Sequence, residues 1–312
     1  MKRRLVAVVG PTASGKSALG MALAERVGGV LISADARQVY RGLDIGTAKP
    51  SPTDRSRVAH HCLDLVDPDD PFDVGQWVEA ADAAIAGTTA PVVVVGGTGL
   101  YVRVLLRGLC EAVPRNVVLR AALRRLAERA GPGEVRRWLA RLDPAAAARL
   151  HANDATRIER ALEVALVAGR PLSALQRTHG FAAERYDARV VVLAPAPQTL
   201  AARIERRLDE MLAAGWVAEV EALTRRVADE APAWRTLGYR ELRDHVRGRI
   251  DLAATRTRIA SETRRFAKRQ RTWWRREARM GPVGWLDPGR DGCGAALDAA
   301  AEFLVANSLP DG

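Results

Sequence analysis

The sequence predicts an α/β fold, a parallel sheet flanked by helices and carrying an all-helical insertion, and three observations support that reading. Within Lys2 to Val9 a short apolar run, LVAVV, leads through the glycine loop GPTASGKS into ALGMALAERVG, which has helical spacing. Two later runs read as strands: Val92 to Val95, unbroken in the way of a strand buried on both faces, and Arg189 to Leu193, which returns to the sheet. Between them, from about Val113 to Tyr186, helical segments follow one another with no strand-like run.

Strand, glycine loop and helix together give the phosphate-binding pattern GxxxxGK[ST] a physical context, and make the fold P-loop NTPase-like. Gly10 and Gly15 lack Cβ atoms where the backbone must curl around phosphate. The N–H groups of Pro11-Thr12-Ala13-Ser14-Gly15 and the following helix start turn partial positive charge toward one anion, Pro11 itself having none to offer. Lys16 adds a full charge, and the Ser17 hydroxyl is placed to bind Mg²⁺. Thr12 and Ser14 either bond phosphate oxygens or are plain turn residues. The motif calls for a di- or triphosphate, ATP among the candidates.

After the first helix, Val30 to Ser33 reads as a second strand ending at Asp35, and ARQVYRGLDIGTAKPSP as a long loop at its carboxyl end, the edge where open α/β sheets bind ligands. A short strand is expected within VAHHCLDLVDP and an amphipathic helix over FDVGQWVEAADAAIAG. Val92 to Val95 then runs into Gly96, Gly97 and Gly99, a second tight loop at the same edge, followed by a helix. The insertion reads as helices at Val118–Ala130, Glu134–Leu142, Ala145–His151, Ala155–Ala168 and near Ser173–Thr178. Beyond the Arg189 to Leu193 strand come LAARIERRLDEMLAAGW, VAEVEALTRRVA, RTLGYRELRDHV and a long basic helix from about Leu252 to Arg279. The tail is Gly- and Asp-rich, then helical from about Ala295 to Ala306. The expected division is a core over 1–112 and 187–286, an insertion over 113–186, and a tail over 287–312.

Composition excludes several classes. With 312 residues, 48% hydrophobic and 27% charged, the chain is globular with a sizeable core. No apolar stretch reaches the roughly 18 residues that span a bilayer. MKRR followed by LVAVVG imitates a signal peptide, but the run is short and leads straight into the P-loop, so a cytoplasmic protein is expected, with no membrane partner. Cys62, Cys110 and Cys293 are scattered and fit neither a disulfide framework nor a zinc site. A net charge of +11 favours a polyanionic partner.

Asp35, at a strand end beside bound phosphate, suits a Mg²⁺ ligand, a proton acceptor or a turn cap. Thr98 sits between glycines at the binding edge, as a site residue or a turn hydroxyl. Arg203 and Arg207 share one helix face and suit either a lid over phosphates or, with Arg206, a solvated salt-bridged face. Arg264 to Arg279 interleaves basic residues with Phe266, Trp273 and Trp274, suiting RNA, or a helix whose aromatics pack inward. The five histidines show no metal spacing.

Taken together, GPTASGKS (10–17), ISADARQVYRGLDIGTAKP (32–50), VGGTGLYV (95–102), DATRIERALEV (154–164), RTLGYRE (235–241) and RRFAKRQRTWWR (264–275) resemble the tRNA dimethylallyltransferase, or tRNA isopentenyltransferase, family. The resemblance spans about residues 4 to 280. Ser17 stands where Thr is common, Ala36 where Ser is common, and Thr156 where Gln is usual. The family's reaction moves a dimethylallyl group from dimethylallyl diphosphate to N6 of the adenosine just 3′ of the anticodon. The resemblance implies that Asp35 is the general base and that Lys16, Thr12 and the rest of Gly10 to Ser17 hold the diphosphate with Mg²⁺; Arg203 and Arg207 are added as diphosphate-binding candidates from their helix spacing alone. The resemblance also implies tRNA contacts at Asp35, Ala36, Arg37, Gln38 and Thr98, at Thr156, Arg157, Ile158, Glu159 and Arg160, and at Arg120. The insertion would grip the anticodon stem-loop, and a monomer is expected. A small-metabolite kinase, with ATP in the loop, and an RNA-stimulated NTPase are the competing readings.

Overall fold

The computed structural model describes residues 2–110, 113–277, 283–289 and 291–306. The chain divides into two compact units, one formed by Met1–Leu106 with Arg185–Gly312, the other by Arg107–Glu184.

In the first unit six strands, β1 (Arg4–Val9), β2 (Val30–Ser33), β3 (His60–His61), β4 (Val92–Gly96), β5 (Asp187–Leu193) and β6 (Val283–Leu286), form one sheet in the order β3-β2-β4-β1-β5-β6. Every pairing is parallel; Leu5 lies opposite Val92, for example, and Arg4 opposite Asp187. Strand side chains alternate between faces, and here both faces are buried. Leu5, Ala7, Val9, Val92 and Val94 join a core with Trp77, Tyr101, Leu105, Trp216, Ile259 and Trp274. Val6, Val8, Leu31 and Val93 face the other way, onto Leu19, Leu23, Ala300 and Leu304.

The covering helices of this unit are α1 (Lys16–Val27), a short α2 (Pro52–Arg57), α3 (Val74–Ala86) and α4 (Gly99–Arg107), which runs into the second unit. In the second unit lie α5 (Val117–Ala130), α6 (Pro132–Leu142), α7 (Pro144–Arg149), α8 (Ala155–Ala168) and α9 (Leu172–His179). The first unit resumes with α10 (Pro197–Ala213), α11 (Trp216–Thr224), a 3₁₀ turn at Pro232–Arg235, α12 (Tyr239–Val246), α13 (Leu252–Glu277) and α14 (Gly294–Val305). Asp73 and Gln76 close a reciprocal capping box at the start of α3. By contrast α1 begins at Gly15, φ 95°, with no side-chain cap, which leaves its first N–H groups open.

Two elements lie outside the sequence expectation. Helix α2 has no apolar stripe; Pro52 at its first turn and the Ser51–Asp54 box start it instead. Strand β6 falls in a Gly- and Pro-punctuated tail and owes its form to pairing with β5, as Val190 meets Val283 and Leu193 meets Leu286. The expected end of the basic helix at Arg279, and residue 112 at the expected core–insertion boundary, lie outside the described residues.

Within Arg107–Glu184, Leu123, Val135, Leu139, Ala146, Ile158, Ala161 and Leu162 form the hydrophobic core. Beside it lies a buried ion cluster. The Glu163 side chain, with no exposed surface, accepts from Arg120 Nε at 2.9 Å and Nη2 at 2.7 Å, from Arg160 Nη1 at 2.5 Å and from the Asn116 N–H at 2.7 Å. Despite burial, these donors pull the Glu163 carboxyl down to about 2.

Candidate active site

The loop from Gly10 to Ser17 leaves the carboxyl end of β1 and enters α1. Gly10 adopts φ 153°, and a Cβ there would come within 2.5 Å of the Leu193 carbonyl, so the first loop position admits glycine alone. Ala13 also has positive φ, 61°. The uncapped start of α1 and the curled loop form an anion cradle of backbone N–H groups.

Positive charge gathers around it. Lys16 Nζ donates to the Pro11 carbonyl at 3.3 Å. Burial, then the Arg207 charge, lower the Lys16 ammonium to about 8, while Asp35 opposes the shift. Arg207 is itself depressed by burial, again against Asp35. Lys16, Arg207 and Asp35 are therefore mutual electrostatic neighbours. Arg203 Nη1 donates to the Ser14 carbonyl at 3.3 Å. The helix face that sequence left between a lid and a solvated surface is thus divided: Arg203 and Arg207 face the loop, whereas exposed Arg206 pairs with Glu210. Ser14 Oγ is fully buried with no hydrogen-bond partner among the described residues, an orphan hydroxyl beside the cradle.

Asp35 follows β2, half-buried, with Oδ1 accepting the Arg37 N–H at 2.8 Å. The Thr98 hydroxyl accepts the Ala36 N–H at 3.1 Å, and its own N–H donates to the Ala34 carbonyl. Thr98 thus ties the Gly96–Gly99 loop to the Asp35 loop. The Gln38 amide is fully engaged: Oε1 accepts from Ser33 Oγ, and Nε2 donates to the carbonyls of Thr47 and Ala48. It braces the 38–48 loop and presents no free polar atom of its own. Behind these loops Trp77 donates to the Ser33 carbonyl and stacks on Tyr101, ring centroids 4.6 Å apart.

In the second unit the expected tRNA contacts divide sharply. Thr156 and Arg157 are exposed, Arg157 pairing with the helix-capping Asp154. Ile158 is buried in the helical core, where its side chain packs instead of facing solvent. Glu159 pairs with Arg124, and Arg120 and Arg160 are bound to buried Glu163. In the first unit the α13 aromatics also divide. Trp274 is buried and Trp273 is half-buried under Arg103, but Phe266 is exposed beside Arg269, against the expectation that it packs inward. Lys268, Arg269, Arg275 and Arg276 face solvent.

Sequence reasoning missed Glu163 and Gln270. Gln270, on α13, accepts the Thr12 N–H and donates to the Gly97 carbonyl. Both lie inside stretches that carry the family resemblance, Glu163 in 154–164 and Gln270 in 264–275, but what each side chain holds becomes visible only when distant segments meet.

A parallel α/β sheet whose glycine loop lies beside a lysine and two arginines defines a protein of P-loop NTPase-like fold. Comparison with known proteins then gives the family. The IPP transferase family model matches residues 38–277, and the isopentenyl transferase model matches residues 3–64. A tRNA dimethylallyltransferase of Anaeromyxobacter dehalogenans (strain 2CP-1) is 47% identical over 291 residues, covering 92% of this chain and 94% of the relative. One from Symbiobacterium thermophilum is 46% identical over 291 residues, with 92% and 90% coverage. The crystal structure of the full-length tRNA isopentenylpyrophosphate transferase of Bacillus halodurans superposes with a TM-score of 0.69 at 31% identity, over 98% of this chain and 96% of that one. The chain belongs to the tRNA dimethylallyltransferase family, and it is a transferase.

Proposed function

We propose that this chain transfers the dimethylallyl group of dimethylallyl diphosphate to N6 of the adenosine 3′-adjacent to the anticodon in tRNA, releasing diphosphate. The single observation that supports this most is the convergence of Lys16, Arg207 and Asp35 around one uncapped P-loop: a leaving-group cradle with a carboxylate beside it.

The bond from the allylic carbon to the diphosphate oxygen breaks as the bond from N6 to that carbon forms. Negative charge grows on the departing diphosphate, where Lys16, Arg207 and the loop N–H groups stabilise it more than they stabilise the ground state. An exocyclic adenine amine is a weak nucleophile whose proton becomes acidic only as the new bond forms. Asp35 takes that proton through the carboxylate oxygen that Arg37 does not occupy. Thr12 and Ser14 supply hydroxyls to the diphosphate, and the orphan state of Ser14 Oγ suits an oxyanion acceptor. The target base must leave its stack to reach the loop. Thr156 and Arg157, exposed on α8, are the insertion's candidates for tRNA phosphates.

Mg²⁺ fits the donor set. The exposed Ser17 hydroxyl lies in the first turn of α1 beside the loop, and no cluster of three or more His, Cys, Asp or Glu side chains among the described residues competes for a metal. Mg²⁺ commonly binds with one or two protein ligands and substrate phosphates. Ser17 and the diphosphate would hold it, and it would neutralise charge on the leaving group.

Incubation with dimethylallyl diphosphate, Mg²⁺ and unmodified tRNA, followed by nucleoside mass analysis, tests the reading. N6-dimethylallyl adenosine formed without any nucleoside triphosphate is expected. ATP consumption with no modified base would contradict it and favour a kinase or an RNA-stimulated NTPase.

A further inference from the structure

Gln270 reaches from α13 into the floor of the site, and the reaction as described does not use it. Its side chain is buried. Oε1 accepts the Thr12 N–H at 2.8 Å, and Nε2 donates to the Gly97 carbonyl at 3.0 Å. We propose that Gln270 is a positioning residue, which fixes the P-loop at a set distance from the Gly96–Gly99 loop and, through Thr98, from Asp35.

The connection is continuous. Thr12 belongs to the diphosphate loop. Gly97 precedes Thr98, whose hydroxyl accepts the Ala36 N–H and whose N–H donates to the Ala34 carbonyl. Asp35 lies between those two residues. The packing leaves no slack, since a Cβ on Gly97 would lie 2.3 Å from Gln270 Nε2 and 3.3 Å from the Gly10 carbonyl. A primary amide offers an acceptor and a donor from one planar group without depending on a proton that titrates. A carboxylate would keep the bond to Thr12 and turn an acceptor toward the Gly97 carbonyl. The same geometry removes the Thr12 N–H from diphosphate recognition. The Ser14 N–H bonds to the Pro11 carbonyl, so the amides that remain for the anion are those of Ala13 and Gly15 and the N–H groups at the start of α1.

The inference rests on the transfer reaction proposed above, and its test separates the two. Gln270→Ala and Gln270→Glu are compared with the wild-type chain for kcat, for KM of dimethylallyl diphosphate and of tRNA, for folded fraction by circular dichroism, and for hydrogen exchange of the loop amides. In Gln270→Ala, kcat per folded molecule falls by about tenfold or more while both KM values stay within about threefold, because the reacting groups are bound but misaligned. Burial against a carbonyl raises the pKa of the carboxyl in Gln270→Glu, and its protonated form regains the donor. The kcat of that variant relative to wild type therefore rises by about fivefold or more between pH 8 and pH 6. The Thr12 N–H exchanges faster in Gln270→Ala. Wild-type kcat per folded molecule in both variants, or a relative pH profile for Gln270→Glu that stays flat, would overturn the inference. If the wild-type chain transfers nothing, the proposed reaction falls. Unchanged exchange at Thr12 would then overturn the positioning role independently.

Discussion

Replacing Glu163 by Gln keeps the shape of the side chain and removes the charge that two guanidiniums share. The carboxyl titrates at about 2 in place of an ordinary 4.5. At about 1.4 kcal/mol per tenfold change in proton affinity, that gap corresponds to about 3 kcal/mol of stability at neutral pH. Glu163 itself is buried, but the Arg120 and Arg160 guanidiniums keep part of their surface in water, so about 3 kcal/mol is an upper figure. The sign follows from a folded-state pKa below the unfolded one: the contribution is complete above about pH 4.5 and is lost as pH falls toward 2. About three-quarters of it remains at pH 4 and less than half at pH 3, by the same linkage relation. The consequence is local, because Glu163 joins α8 to Asn116 and Arg120 at the start of α5. Hydrogen exchange of α5 and α8 peptides in the full chain, read by mass spectrometry, reports their opening free energy without requiring two-state unfolding. Glu163→Gln should lower that free energy by up to about 3 kcal/mol at pH 7 and by under half as much at pH 3. A loss under about 1 kcal/mol at pH 7, or an equal loss at both pH values, would refute the argument.

The Lys16 ammonium is lowered to about 8 by burial and by Arg207, so its charge is lost as pH rises through that value. In the free enzyme kcat/KM for dimethylallyl diphosphate should decline above pH 8, while kcat, measured with the diphosphate bound, should hold to higher pH; a flat kcat/KM profile to pH 9.5 would contradict this. Arg157→Ala should raise KM for tRNA and leave KM for the diphosphate unchanged, whereas Arg160→Ala should act on the exchange stability of α5 and α8, since Arg160 is tied to Glu163. Arg271→Ala and Arg275→Ala on α13 should each flatten the salt dependence of tRNA binding by a log–log slope of about 0.7 to 0.9 per lost phosphate contact. Buried Trp274→Ala should instead cost roughly 3–5 kcal/mol in denaturant unfolding; wild-type slopes in both arginine variants would make α13 a solvated face.

Most of the framework was legible because it rests on local pattern. Leu5–Val9 and Val92–Val94 are buried on both faces, and Val192 and Leu193 join them at the end of β5; such strands reveal themselves as apolar runs. The glycine loop was readable because its backbone conformation requires Gly10 and Gly15. Strand β6 was not, since four residues beside glycine and proline acquire strand form through β5. Helix α2 lacks an apolar period, and its capping box at Ser51 and Asp54 was the available signal. At the site, the end of a strand singled out Asp35, and motif spacing singled out Lys16 and Ser14. It could not say that Gln38 braces a loop, that Arg120 and Arg160 serve a buried carboxylate, or that Arg206 turns away while Arg203 and Arg207 turn in. Those distinctions depend on partners many residues away in the chain, and Gln270, 258 positions from Thr12, is the extreme case.

The account stands or falls on Asp35 as the acceptor of the adenine amine proton beside the diphosphate cradle. Single-turnover transfer by Asp35→Asn, with wild type alongside and with tRNA and dimethylallyl diphosphate both saturating, measures that directly. The substitution preserves shape and the hydrogen bond from Arg37, so binding of both substrates should persist while the transfer rate falls by about 10²–10⁴-fold. A transfer rate within a few-fold of wild type would contradict the account.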